Sequence, residues 1–216
     1  MISYIGLILK GAVVTIQLTV LGFGLAKVVA FVTGLCRLSR WWLLRAISLA
    51  YLEFFRGTSL FVQLFWMFFV LPLFGIPLTP MQAGVIALGL NVGAYASEVV
   101  RGAILSIPQE QTESCIALNL NAWQRLRYVI LPQAFVIMLP TFGNNAIELL
   151  KATAIVSLIA ISDMTFQAQI VRAQTGNTAV PFLVILSIYY IMSSLITFGS
   201  RALEKKVSEG LDVTKA

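Results

Sequence analysis

Three pairs of opposite charge recur at one spacing in a chain otherwise poor in charge: Glu53 with Arg56, Glu98 with Arg101, and Glu148 with Lys151. Residues three apart on a helix stand side by side. In an apolar setting, pairing is the expected remedy for the cost of a charge. Such groups have a second use, because a carboxylate and an ammonium beside a wet path can hold a polar solute. Glu53 and Arg56, next to a basic connection, read first as a structural pair. For Glu148 and Lys151, set within an apolar run, both readings stay open. The rest of the inventory excludes chemistry. There is no histidine, which removes HExxH metal sites, Ser–His catalysis and most zinc chemistry. No GxxxxGK[ST] loop occurs, and Cys36 and Cys115 have no metal-type spacing. The chain is therefore expected to hold no metal or cofactor and not to be an enzyme.

The elements that position these residues are membrane spans. The chain is 59% hydrophobic and 11% charged, whereas a soluble domain is about 25% charged. Hydropathy gives five spans over 9–35, 58–74, 81–105, 133–161 and 180–200. The first has no charged leader and no small-residue cleavage site, so it is expected to be retained rather than cleaved. The net charge of +6 reflects topology rather than nucleic-acid binding. Eleven of the fifteen cations fall on one side: Arg37, Arg40, Arg45 and Arg56, then Arg101, Arg125 and Arg127, then Arg201, Lys205, Lys206 and Lys215. That side is expected to be cytoplasmic, with the N-terminus outside and the C-terminus inside. Residues 39–55 read as an amphipathic, Trp-bearing elbow at the lipid interface, or as an early start of the second span. The last residues, 205–216, read as a short solvated tail.

Pro140, Gly143, Asn144 and Asn145 predict a break or kink in the fourth span. Backbone unwound at membrane depth must face protein or a wet cavity, and half-helix ends are where transporters hold solutes. Asn144, Glu148, Lys151 and Thr153 are accordingly candidates for a solute path, with Asn91 and Glu98 on the third span facing the same cavity. Gly89 and Gly93 form a GxxxG face suited to close helix packing.

Between the third and fourth spans lies a polar insert, roughly residues 106–132. Pro108 and Pro132 are expected to interrupt helix there. Between them, two helical stretches meet at Asn119 to Asn121, and Asn119 suits a left-handed corner. Glu113-Ser114-Cys115, Asn119, Val129 and Leu131-Pro132 together resemble the EAA motif of the membrane subunits of bacterial ABC importers. The departures are Ser114 and Cys115, where alanines are usual, and Asn119, where glycine is usual. The stretches EFFRGTSLFVQLFWMFFVLPLFGIPL, NVGAYASEVVRGAILSIPQ and LPTFGNNAIELLKATAIVSLIAISDMTFQAQ are similar to polar-amino-acid permeases of that superfamily. FRGTSLFVQLFW, IALNLN and LLKATAIVSLI most resemble the permease of the ectoine/hydroxyectoine importer.

The resemblance implies one all-helical membrane permease domain, residues 1–216, of the type I importer fold in the bacterial inner membrane. It implies two ATP-binding subunits that receive the segment around Glu113, Ser114, Cys115, Asn119, Leu131 and Pro132. It also implies a second, different permease chain, an extracytoplasmic solute-binding protein and surrounding lipid. The implied cargo is a compatible solute of the ectoine kind. The alternatives are another polar amino acid, such as glutamine, arginine or cystine, or a self-contained channel.

Overall fold

The computed structural model describes residues 2–208 and is all-helical; the tail beyond Ser208, with Lys215, lies outside the described residues. Helix α1 is Ile2–Arg37, α2 is Trp42–Gly57, and α3 is Leu60–Phe65, continued to Phe74 by a π turn and a 3-10 turn. Helix α4 is Pro80–Leu105, α5 is Gln109–Ala117 and α6 is Ala122–Arg125. A π turn then leads into α7, Leu131–Ala152; α8 is Met164–Thr175 and α9 is Ala179–Ser208. Among the described residues four helical stretches are long and apolar enough to cross a membrane, and α2 with the stretch Leu60–Phe74, bent by 105° at their junction, makes a fifth when the pair is counted as one broken span.

Contacts fix the direction of each crossing. Gly22 packs beside Leu88, Gly89 against Leu25 and Gly93 against Val29, so numbers rise together and α1 and α4 run parallel. A Cβ on Gly89 would lie 2.7 Å from Leu25 Cδ2, so this close approach needs the small residues anticipated there. Leu149 meets Gly22, and Phe142 meets Phe31 at 6.0 Å, so α7 runs the other way. Gly143 against Ser200 and Thr153 beside Tyr189 set α9 antiparallel to α7. One end of the bundle, here the basic end, carries Arg37, Leu105 and Leu131. The far end carries Phe74 to Thr79 and Asp163 to Ala179.

Because α1 and α4 are parallel, the chain between them must return across the bundle. Residues 60–74 would span only about 22 Å as a helix, short of a core of about 30 Å. Helix α2 therefore supplies the rest, and its last turn reaches the middle of α4. Asn91 Nδ2 donates to the Phe55 carbonyl at 3.1 Å and to Gln63 Oε1 at 3.1 Å, while Gln63 Nε2 donates to Phe55 O at 3.0 Å. These bonds satisfy the carbonyl left free where α2 ends. The interfacial-elbow reading holds only for the start of α2, where Trp41 and Trp42 are exposed; Glu53 and Arg56 lie at mid-bundle depth, not in the basic connection.

Two predicted interruptions are absent. Helix α7 runs unbroken through Pro140 and Gly143. Gly143 instead admits α9, since a Cβ there would lie 2.7 Å from Ser200 Oγ. Pro132 does not stop the helix either. The π turn over Leu126–Ile130, closed by Leu131 N–H to Leu126 O, immediately precedes it, and this widened turn accommodates a residue without an N–H in a helix that continues into α7. The helix unwinds later, tightening to a 3-10 turn over Thr153–Ile159 and ending at Ala160 with φ 59°. Asp163, fully buried, then caps α8 through Phe166 N–H at 2.9 Å and Thr165 N–H at 3.1 Å. Burial pushes its carboxyl above the usual aspartate range, against the opposing pull of those amides. Helix α8 has no counterpart in the hydropathy reading, being too polar to register as a span.

Candidate functional site

At the basic end, the insert between α4 and α7 folds as two helical pieces around a sharp corner. Helix α5 ends in a double closure: Leu120 N–H donates to Cys115 O at 3.0 Å and Asn119 N–H to Ile116 O at 2.9 Å. Asn119 adopts φ 57°, the left-handed conformation this closure requires. Asn121 then opens α6 with a reciprocal box, its Oδ1 accepting from Gln124 N–H at 2.9 Å and its own N–H donating to Gln124 Oε1 at 3.0 Å. Residues 119–121 thus carry no slack. Cys115 points inward and is buried, whereas Glu113, Ser114 and Asn119 are exposed. Pro132 is exposed and Leu131 half-buried at the start of α7.

Sequence reasoning missed the apolar part of this surface. Ile116, Leu118, Trp123 and Tyr128 are exposed, Leu118 at 74% and Trp123 at 63%. Large apolar side chains displayed on a short polar helical hairpin mark a contact surface for another protein. The signal available in the sequence was Trp123 standing two residues after the Asn121 N-cap in a largely polar segment.

The solute-path candidates divide into two groups. Asn91, Glu98 and Thr153 are turned into the protein. Asn91 serves the α2 end described above. Glu98 binds Arg37 through Oε1 and Arg101 Nε through Oε2 at 3.3 Å, so the expected Glu98–Arg101 pair forms and gains a second partner from α1. Thr153 is fully buried, donates to Leu150 O at 2.6 Å and lies 3.4 Å from the Tyr189 hydroxyl. Asn144, Glu148 and Lys151 are exposed on one strip of α7. Among the described residues the ion pairs are those of Glu98, so Glu148–Lys151 and Glu53–Arg56 do not pair. Lys151 borders a groove of about 1120 Å³ between α7 and α9, lined also by Ile147, Tyr189, Tyr190, Ser193 and Thr197.

Depth gives these exposed charges their meaning. Leu149 sits beside Gly22 and Leu88, which puts Glu148 within about 10 Å of the midpoint of α4. A charge at that level costs about 2.5 to 3.5 kcal/mol or more against lipid. Asn144, Glu148 and Lys151 accordingly define a face that water or another protein covers.

Comparison with known proteins agrees with this architecture. Residues 19–209 match the family described as binding-protein-dependent transport system inner membrane component. The chain is 41% identical over 95% of its length, and 89% of the relative's, to "Probable amino-acid ABC transporter permease protein y4tF" of Sinorhizobium fredii. It is 37% identical to the L-cystine transport system permease protein of Bacillus subtilis, covering 93% of this chain and 86% of that one. In the crystal structure of an amino acid ABC transporter with histidines, one chain superposes with a TM-score of 0.88 at 32% identity, covering 95% of this chain and 96% of that chain.

Proposed function

Because the chain belongs to the family of binding-protein-dependent transport system inner membrane components, we propose that it is the permease subunit of an ATP-driven importer of a polar amino acid such as glutamine or cystine. As a membrane component of this family it is not itself an enzyme, and it works with an ATPase and a solute-binding protein in the inner membrane. The observation that carries the mechanism is the α5–α6 corner. It is polar, rigidly closed and exposed, and it stands between two spans at the end rich in arginine.

In this reading two ATP-binding subunits receive residues 106–132, with Glu113, Ser114 and Asn119 on the contact face. Cys115 anchors the segment from inside, and Leu131 and Pro132 join it to α7. The whole chain acts as one permease domain beside a second, different permease. The N-terminus lies outside and the C-terminus in the cytoplasm. Nucleotide binding moves the corner, and the unbroken helix from Ala122 transmits that movement to Asn144, Glu148 and Lys151, which line the solute path. A cargo of this kind fits a strip that offers amide, carboxylate and ammonium together.

A polar amino acid has better support than ectoine, because relatives transport cystine and glutamine: the glutamine transport system permease protein of Escherichia coli is 33% identical over 94% of both chains. The test is reconstitution with the cognate ATPase and binding protein in liposomes. ATP-dependent uptake of glutamine or cystine is expected. Uptake of ectoine and of neither amino acid would overturn the substrate class, and uptake without nucleotide would overturn the importer.

A further inference from the structure

We propose that Arg56 is a carboxylate-recognising residue of the solute path, held in place by Tyr95. The inference rests on the amino-acid importer reading above and adds a residue that the charge-pair pattern had assigned to structure.

Depth comes first. Arg56 follows Phe55, whose carbonyl accepts from Asn91, and its guanidinium lies 5.4 Å from the centre of the Tyr95 ring. Tyr95 is within about 4 Å of the midpoint of α4, counted at 1.5 Å per residue. Arg56 is therefore a mid-bundle cation, beside the middle of α4.

Direction comes second. On α4, Asn91 faces the α2–α3 junction, while Val99 packs on the cluster containing Met138 and Phe142 of α7. At about 100° per residue, Tyr95 lies some 40° from each of them. It occupies the gap between the α2 side and the α7 side of α4, and it is 45% exposed there. On α7 the inward residues Phe142 and Leu149 meet α1, and Asn144 and Glu148 lie on the face turned away from α1.

Chemistry comes third. Arg56 is exposed and, among the described residues, its guanidinium is in no ion pair. Glu53, one turn away, is exposed as well and does not neutralise it. Stacking on an aromatic face holds an arginine without using its N–H donors. What remains is a planar fork of donors at mid-depth, facing the gap, whose geometric match is a carboxylate. Every α-amino acid carries one.

The experiment uses the assembled transporter in nanodiscs without its binding protein, so that recognition by the permease alone is read. Radiolabelled glutamine or cystine, whichever binds, is displaced by the same unlabelled amino acid and by its carboxamide. Wild type should prefer the free carboxylate at least tenfold. Arg56→Gln should bind the amino acid at least tenfold more weakly and treat carboxylate and carboxamide alike, whereas Arg56→Lys should keep part of the preference. A full preference in Arg56→Gln overturns the proposal and leaves the importer reading standing. Should Arg56→Gln not assemble, Arg56→Lys decides: a preference reduced below wild type supports the proposal, and a preference equal to wild type overturns it. Binding of neither amino acid by wild type would overturn the importer reading and, with it, this assignment.

Discussion

Arg37, the last residue of α1, is bound to Glu98 at the start of the final third of α4, sixty-one positions along the chain, and Arg101 takes the other carboxylate oxygen. This triad ties the basic ends of two parallel helices just before the chain enters the α5–α6 corner. The carboxylate is 31% exposed, so its contribution is reduced by solvent to about 1 kcal/mol. Glu98→Gln should lower stability by that order, and Arg37→Met should add little once Glu98 is gone. Thermal melts of both single variants and the double variant in detergent check this; strictly additive losses would mean that the two residues are not coupled.

At Gly11 one backbone lies against another. A Cβ there would lie 2.7 Å from the Asp163 carbonyl oxygen, at the segment between the unwound end of α7 and α8, and a carbonyl cannot rotate away as a side chain can. Gly11→Ala should cost about 1 to 3 kcal/mol through overpacking. Gly6→Ala, with nothing within 4 Å of the added methyl, should be neutral or stabilising. Equal effects at the two sites would sink the packing argument.

The sequence was most legible where one physical term dominates. Long apolar helices follow from hydropathy, and the corner at Asn119 follows from the rarity of residues that tolerate positive φ. It was least legible where two terms compete. Pro140 removes a helix hydrogen bond, yet α7 continues through it, and Gly143 packs closely on Ser200 of α9. Charge spacing suggested three pairs, but among the described residues only Glu98 of the three acids found partners, and one of them came from a distant helix that spacing cannot reveal. Arg56 looked peripheral because the return crossing was placed wholly after it. Only the parallel packing of α1 and α4 shows that α2 must already be inside the bundle.

At the corner, Glu113 is exposed beside Ile116 and Leu118, so its charge is free to meet a partner. Glu113→Lys should leave insertion and melting temperature unchanged while reducing solute-stimulated ATP hydrolysis at least tenfold, about 1.4 kcal/mol of coupling. Leu118→Ala, which deletes apolar contact without changing charge, should weaken ATPase binding. Normal pumping by both variants would remove the corner from the coupling path.

Orientation is tested on a chain with Cys36 and Cys115 replaced by serine. Single cysteines at Thr175, the end of α8, and at Ser208, the end of α9, lie at opposite ends of the bundle. An impermeant thiol reagent should label intact cells only at position 175. Labelling only at 208 would invert the assignment, and labelling at both would contradict the odd number of crossings.

Glu148 distinguishes a solute ligand from a structural charge, and the unpaired state of Lys151 sharpens the contrast. If the two residues held each other, loss of Glu148 would strand a lysine and depress assembly, and Lys151→Met would rescue it. With both side chains exposed and no bond between them, Glu148→Gln should instead assemble normally. A direct contact with the amino group of the solute then predicts a ten- to hundredfold loss of apparent affinity, about 1.4 to 2.8 kcal/mol, with the maximal rate less affected. The double variant should not recover, because nothing is relieved by removing Lys151. Uptake against solute concentration, normalised to assembled complex, reads both quantities. Wild-type affinity in Glu148→Gln, or rescue in the double variant, would exclude Glu148 from the solute path.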